Sequence, residues 1–234
     1  MNEIEFNCAR CAVAKKICQS EGGGGPASCP TKKGRGAIEA ALKDYDDPAV
    51  KEFARVASVQ EGACYAHREN KPYIPFPTKT RVEEIIEFSR RMGFHRLGLV
   101  FCTGVREEAR VLADILESHG FEVLGVACKV GGVPKERISV KDEEKVRIGE
   151  FESMCNPIAQ ARLMNQAKTD FNILMGLCVG HDSLFLKYVE GLTTVFAVKD
   201  RVTGHNPMAA LYTSNHYYRR LKASRPDEPK RAKK

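Results

Sequence analysis

Cysteine placement carries most of the chemistry legible in this chain of 234 residues, which has nine Cys and no Trp. The first four stand as Cys8-x2-Cys11-x6-Cys18-x10-Cys29, with Pro30 directly after the last, in a polar stretch that includes the run Gly22 to Gly25. Four thiolates with a close Cys-x-x-Cys pair suit both a tetrahedral Zn2+ site and a [4Fe-4S] cluster. Cys-Pro at the end of such a run recurs in ferredoxin-type sites, and glycine-rich backbone supplies N–H donors to sulfur. The expectation therefore leans to a [4Fe-4S] cluster on Cys8, Cys11, Cys18 and Cys29, with Zn2+ as the alternative. Unrelated buried thiols are the plainer explanation, weakened because this stretch has almost no core to bury them in. Cys64 and His67 form a Cys-x2-His pair near an expected helix end. They either add to this site or, as is commoner for such a pair, pack.

The next four cysteines are far apart but share one situation. RLGLVFC (96–102), FEVLGVAC (121–128) and FNILMGLC (171–178) read as short apolar strands ending in Cys102, Cys128 and Cys178, and Cys155 lies in SMCNP just before a helix beginning near Pro157. Carboxyl ends of parallel strands lie along one edge, where open α/β folds place their ligands. A helix N-terminus favours the thiolate of Cys155. At least three of the four are expected to share a site, either a second iron–sulfur cluster or a thiol-based catalytic centre. For any one of them, a small buried hydrophobe is an equally good reading. GHDS after Cys178 brings His181 and Asp182 to the same edge, and DRVTGHNP brings Asp200, Arg201, His205 and Asn206. These suit proton transfer or an anion clamp, although each alone serves as readily as a cap or loop residue.

The elements that must position these residues follow from periodicity. Residues 37–67 show apolar positions at i, i+3 and i+4 spacing and read as two helices, the second starting at Pro48. KPYIPFPTK is an extended connector. Helices are then expected over 80–92, 105–119, 157–169 and 182–189, alternating with strands over 96–102, 121–128, 171–178 and 193–199. This alternation predicts an α/β fold, three-layered and Rossmann-like, around a mostly parallel sheet of about four or five strands. The expected organisation is a Cys-rich metal-binding segment with two helices (1–78), an α/β domain (79–218) and a basic disordered tail (219–234).

Composition excludes several classes. With 43% apolar and 29% charged residues the chain is ordinary for a soluble globular protein. No apolar run reaches the roughly 18 residues that span a bilayer, and MNEIEFNCAR lacks the pattern of a signal peptide. A cytoplasmic location is expected, where thiols stay reduced and metal binding or catalysis explains many Cys better than disulfides do. The net charge of +7 is mostly a property of RRLKASRPDEPKRAKK, whose eight basic and two acidic residues leave +1 for the rest. A nucleic-acid partner therefore ranks last. G-x-G-x-x-G, the P-loop and G-x-S-x-G are absent. Arg106, four residues after Cys102 and followed by two Glu, does not make a phosphatase-type loop.

Given both Cys sets and the blocks CNPIAQARLMNQAKTDFNILMGLCVGHDSLF and KDRVTGHNPMAALY, the chain resembles a family of prokaryotic proteins known as domain of unknown function 1847, from Cys8 to about Tyr212. The resemblance implies metal binding through the N-terminal Cys and a prokaryotic cytoplasmic setting. It implies no activity.

Three functions compete. The first is an iron–sulfur redox or electron-transfer protein with an N-terminal cluster and a second centre at the sheet edge. The second is a zinc-stabilised small-molecule binding module. The third is a thiol or sulfur-transfer enzyme using Cys102, Cys155 or Cys178 as nucleophile. The partner is a redox partner or a small-molecule substrate of unknown identity; the spacing leaves the oligomeric state open.

Overall fold

Proline opens two of the helices in the first part of the chain. In this computed structural model, which describes residues 6–223, α1 spans Pro30–Lys33, α2 Arg35–Asp44 and α3 Pro48–Ala63. Proline at the first helical position sacrifices no hydrogen bond, because that N–H has no intrahelical acceptor. Asp47 caps α3, its Oδ1 accepting from the Ala49 and Val50 N–H groups at 2.8 and 3.1 Å. Residues ahead of these helices are held by turns. Cys8–Arg10 form a 3-10 turn, the Ile17 N–H donates to the Gly24 carbonyl and the Gly24 N–H to that of Lys15, both at 2.8 Å. Gly23 is needed in that crossing, since a Cβ there would lie 2.5 Å from the Lys16 carbonyl. The chain divides into two compact units, Met1–Pro77 and Thr78–Lys234.

The second unit begins with a reciprocal cap. The Glu83 N–H donates to the Thr80 hydroxyl and the Thr80 N–H to the Glu83 carboxylate, starting α4 (Arg81–Met92), which Gly93 ends in a left-handed conformation with φ 70°. There follow β1 (Arg96–Phe101), α5 (Arg106–Ser118), β2 (Glu122–Ala127), α6 (Pro157–Ala167), β3 (Phe171–Leu177), α7 (His181–Tyr188), β4 (Thr193–Val198) and α8 (Pro207–Tyr212). Of the basic tail expected at 219–234, Arg219–Lys222 form a 3-10 turn; residues 224–234 lie outside the described residues.

The sheet is four-stranded and wholly parallel, in the order β2-β1-β3-β4. Leu99 of β1 sits beside Gly125 of β2 on one side and Ile173 of β3 on the other. Every residue of β3 is buried, as a strand covered on both faces must be, while β2 and β4 at the edges are only partly so. Leu112 and Leu116 of α5, Ala161 and Met164 of α6 and Phe185 of α7 supply the covering layers. Right-handed crossovers place α5 on one face and α6 and α7 on the other. The direction of winding reverses between β1 and β3, and the crevice at their carboxyl ends is where such folds bind ligands.

Residues 129–156, between β2 and α6, are long for a connection and are ordered by charge. Lys145, only 5% exposed, pairs with Glu136 at 2.5 Å and Asp142 at 2.9 Å, and Lys135 pairs with Glu152 at 2.7 Å. The other Glu152 oxygen accepts from the Val146 and Arg147 N–H groups. The Met154 N–H donates to the Val133 carbonyl at 2.7 Å, bringing the end of the loop back beside its start.

Candidate functional site

Three strands deliver a cysteine to the same edge. Cys102, Cys128 and Cys178 each follow the last residue of β1, β2 and β3 by one position. The ladder carries on through two of them: the Cys102 N–H donates to the Met175 carbonyl at 3.1 Å and the Cys128 N–H to that of Phe101 at 2.8 Å. The fourth arrives from the loop. The Asn156 N–H donates to the Cys128 carbonyl at 2.7 Å, while the Asn156 side chain caps α6 by accepting from the Ala159 N–H. Cys155 is thereby held over the end of β2, with its Sγ 3.8 Å from that of Cys128.

The sulfurs interact as a set. A hydrogen bond with Cys128 and burial push the Cys102 thiol up to about 12, although the Gly104 N–H and Lys199 pull the other way. Cys155 is drawn down to about 7, chiefly by its own hydrogen bond with Cys128 and then by Lys129, against burial and the nearby Cys102 and Cys178. Cys128 also receives the Thr103 N–H at 3.4 Å. Arg201 donates to the Cys178 sulfur at 3.2 Å. Cys102 and Cys128 are buried, Cys155 and Cys178 half-buried, so the set opens to solvent on one side. Among the described residues, no group of three or more His, Cys, Asp or Glu stands arranged to hold a single metal ion.

The other edge residues divide by role. Asp182 accepts from the Gly180 and Ser183 N–H groups, and Asp200 from those of Val202 and Thr203; both shape their own turns. Asn206 lies just before α8 with no side-chain capping bond. His181 is half-buried and held below the ordinary imidazole range by burial and by Lys129, both of which favour its neutral form. His205 has φ 66° and accepts the Asp200 N–H on Nδ1 at 3.1 Å. Among these loop residues, Arg201 is the one that donates to a sheet-edge sulfur.

Sequence reasoning passed over Gln160, Lys129, Lys199 and Gly104. Gln160, fully buried in α6, donates to the Phe101 carbonyl at 3.2 Å and to the Val126 carbonyl at 2.7 Å, tying α6 to the ends of β1 and β2. Its Oε1 is buried with no hydrogen-bond partner. A polar residue beside Ala161 and Met164 on the inner face of α6 is the signal that marks it. Lys129 follows Cys128 directly, and Lys199 follows β4. A Cβ on Gly104 would meet the Lys199 ammonium at 3.3 Å and the Cys102 sulfur at 3.9 Å.

In the N-terminal segment Cys8 and Cys18 are exposed, Cys11 is half-buried and Cys29 buried. Cys29 precedes α1. Burial raises its pKa, but hydrogen bonds with Thr31 and Lys32 outweigh that and leave it below the ordinary thiol range. Gly25 packs on this sulfur, which an added Cβ would approach to 2.9 Å. Cys64, buried, donates from Sγ to the Gln60 carbonyl one turn back in α3, and the exposed His67 meets the Phe76 ring edge-on. That pair is engaged in packing.

A family model for a protein of unknown function, DUF1847, matches residues 29–196. The chain belongs to this family. The matched region is narrower than the sequence blocks suggest: it contains Cys29, Cys64 and all four sheet-edge cysteines, and starts after Cys8, Cys11 and Cys18. An uncharacterized protein of Methanocaldococcus jannaschii is 44% identical over 179 residues, covering 76% of this chain and 89% of that one. Two crystal structures of Dph2 from Pyrococcus horikoshii are more distant. The one with a 4Fe-4S cluster has a TM-score of 0.32 at 20% identity, covering 62% of this chain and 34% of its own. The other has a TM-score of 0.26 at 22% identity, covering 42% and 22%. This chain thus spans about a third or less of Dph2. Among the described residues no helix is long and apolar enough to cross a membrane.

Proposed function

We propose that this protein is an iron–sulfur redox protein, with a cluster held at the carboxyl edge of the sheet by Cys102, Cys128, Cys155 and Cys178. The observation that carries this reading is that four cysteines, remote in sequence, come to one edge from three strand ends and a helix start. Such a donor set is soft and suits iron bound through sulfur. Its surroundings fit too. Clustered thiolates repel one another, and Lys129, Lys199 and Arg201 offset that charge. Gly104 keeps space open beside Cys102. When bound, a cluster supplies one-electron transfer. The chain's own part is to fix the ligand sulfurs on rigid strand ends, to balance their charge, and to leave Cys155 and Cys178 on the open side toward a redox partner. Cys8, Cys11, Cys18 and Cys29 are proposed to hold a second [4Fe-4S] centre, and a reducing cytoplasm is the compartment in which both sets stay available.

Anaerobic reconstitution with ferrous iron and sulfide tests this. The expected result is brown protein absorbing near about 400 nm with about four irons per site. Part of that signal should be lost in Cys178→Ser and a different part in Cys8→Ser. Protein that takes up zinc and no iron, with unchanged metal content in Cys178→Ser, overturns it.

One observation favours a second reading, a thiol-based redox or sulfur-transfer centre. Cys155 and Cys128 lie 3.8 Å apart with the Cys155 pKa near 7, the arrangement of an attacking thiolate beside a resolving thiol. Full activity of Cys155 toward a disulfide or persulfide donor in iron-free protein would select this reading over the first.

A further inference from the structure

The carboxyl edge of the sheet holds more than sulfur. α5 lies over β1 and β2, so between its far side and the near face of β3 and β4 a pocket of about 540 Å³ remains. That is within the range of about 300 to 1,000 Å³ that small-molecule sites occupy. Its floor is Met175, Phe196 and Ala197, and its α5 wall is Val111, Leu112 and Ile115. The lining is thus mainly apolar and includes an aromatic ring, and Val111 is 48% exposed at its mouth.

Three titratable groups border this apolar space: Glu107, Glu108 and His205. Glu107 is loosely paired, at 3.5 Å from Arg110 and 3.8 Å from Arg106. Glu108 has no ion-pair or hydrogen-bond partner among the described residues. Acidic residues in the first turn of a helix are favoured by its dipole whatever they face, so their presence alone indicates no ligand. Their place on the rim of an apolar pocket does give that pocket a charge preference. His205 adds a direction. Its backbone is held at φ 66°, uncommon for a residue with a side chain, by two bonds to Asp200: the His205 N–H donates to the Asp200 carbonyl and the Asp200 N–H donates to Nδ1. Nδ1 is taken up by that bond, which leaves Nε2 as the ring nitrogen outside it.

We infer that this pocket binds a small molecule with a flat apolar body and a cationic amine, the body seated on Phe196 and Met175 and the amine facing Glu108. Because Arg106 and Arg110 offset Glu107, the charge preference rests on Glu108: a carboxylate or phosphate in the amine's position would meet that carboxylate, and an uncharged molecule would gain nothing from it. The inference does not depend on what the cysteines hold, since neither Glu108 nor Val111 is among the residues proposed to bind iron.

The absence of Trp from the chain makes the test direct, because indole fluorescence then comes from the probe alone. Fluorescence anisotropy of tryptamine, 3-methylindole and indole-3-propionate is measured against the full-length protein. Tryptamine should bind saturably, several-fold more tightly than 3-methylindole, with indole-3-propionate weakest. Glu108→Gln should weaken tryptamine by about threefold to fivefold, the size expected of a partly exposed ion pair, and leave 3-methylindole unchanged. Val111→Arg, on the exposed side of α5, should abolish binding of tryptamine, and thermal unfolding of both variants shows that they are folded. No saturable binding of any of the three, equal binding of all three, or tryptamine binding indifferent to both substitutions overturns the inference.

Discussion

Cys128 is the residue on which the edge turns. Its sulfur receives the Thr103 N–H and stands between Cys102 and Cys155, which is why those neighbours are driven in opposite directions, to about 12 and to about 7. In metal-free protein Cys155 should therefore alkylate first among the four, with a rate that rises through about pH 7, and Cys102 should stay unreactive well into alkaline solution. Peptide mapping after iodoacetamide treatment at a series of pH values checks the order. Among the four edge cysteines, mild oxidation should first join Cys155 to Cys128, a cross-link that Cys155→Ser removes. Gln160 is the second such residue. Gln160→Leu takes away the donor that the Phe101 and Val126 carbonyls share and should lower stability to urea by about 1–3 kcal/mol, the cost of losing buried hydrogen bonds. The same substitution should make reconstituted iron easier to remove by a chelator, because the loops that carry Cys102 and Cys128 lose their tie to α6.

At the scale of elements, β1, β3, α4 and α5 were legible because their cues are local: apolar positions at helical spacing over 80–92 and 105–119, and apolar runs short enough to be strands. The cysteines ending β1, β2 and β3 were legible for the same reason, since parallel strands of similar length put their last residues on one edge. The sheet has four strands where four or five were expected. The loop of residues 129–156 was not legible. Its order rests on Lys145 meeting Glu136 and Asp142, and on Lys135 meeting Glu152, and pairing among charged residues leaves no periodicity to read. Gln160 and Lys199 escaped because their meaning depends on which strand end each approaches. The loop makes a prediction of its own through pH. Glu152 is held near 2, well below its ordinary 4.5, by Lys135 first and then by backbone N–H groups. A carboxylate depressed in the folded state stabilises it fully above about pH 4.5 and progressively less as pH falls toward 2. Hydrogen exchange in residues 129–156 should therefore quicken between pH 4.5 and 2, ahead of that in β1 and β3. Lys145→Ala should produce the same loosening at pH 7, and protection unchanged in both cases would mean that something other than these pairs orders the loop.

The whole molecule combines two units with different means of stability. Thr78–Lys234 contains the four-stranded sheet, the helices that cover it and all four edge cysteines, and so has a substantial apolar core of its own. In Met1–Pro77 the buried apolar side chains among the described residues are Cys29, Val56 and Cys64, and segments with so small a core ordinarily depend on a metal or another staple. A fragment of residues 78–223 should therefore unfold cooperatively on its own and take up iron on reconstitution at the sheet edge. Its iron content should match that of full-length Cys8→Ser, since both lack only the N-terminal centre. In the full chain, a strong chelator should leave the unfolding of the α/β unit in place while exposing residues 6–77 to proteolysis. Equal resistance of residues 6–77 with and without chelator would show that Met1–Pro77 is held by its helices alone, and would remove the N-terminal cysteines from the metal-binding account while leaving the sheet-edge centre to stand on its own geometry.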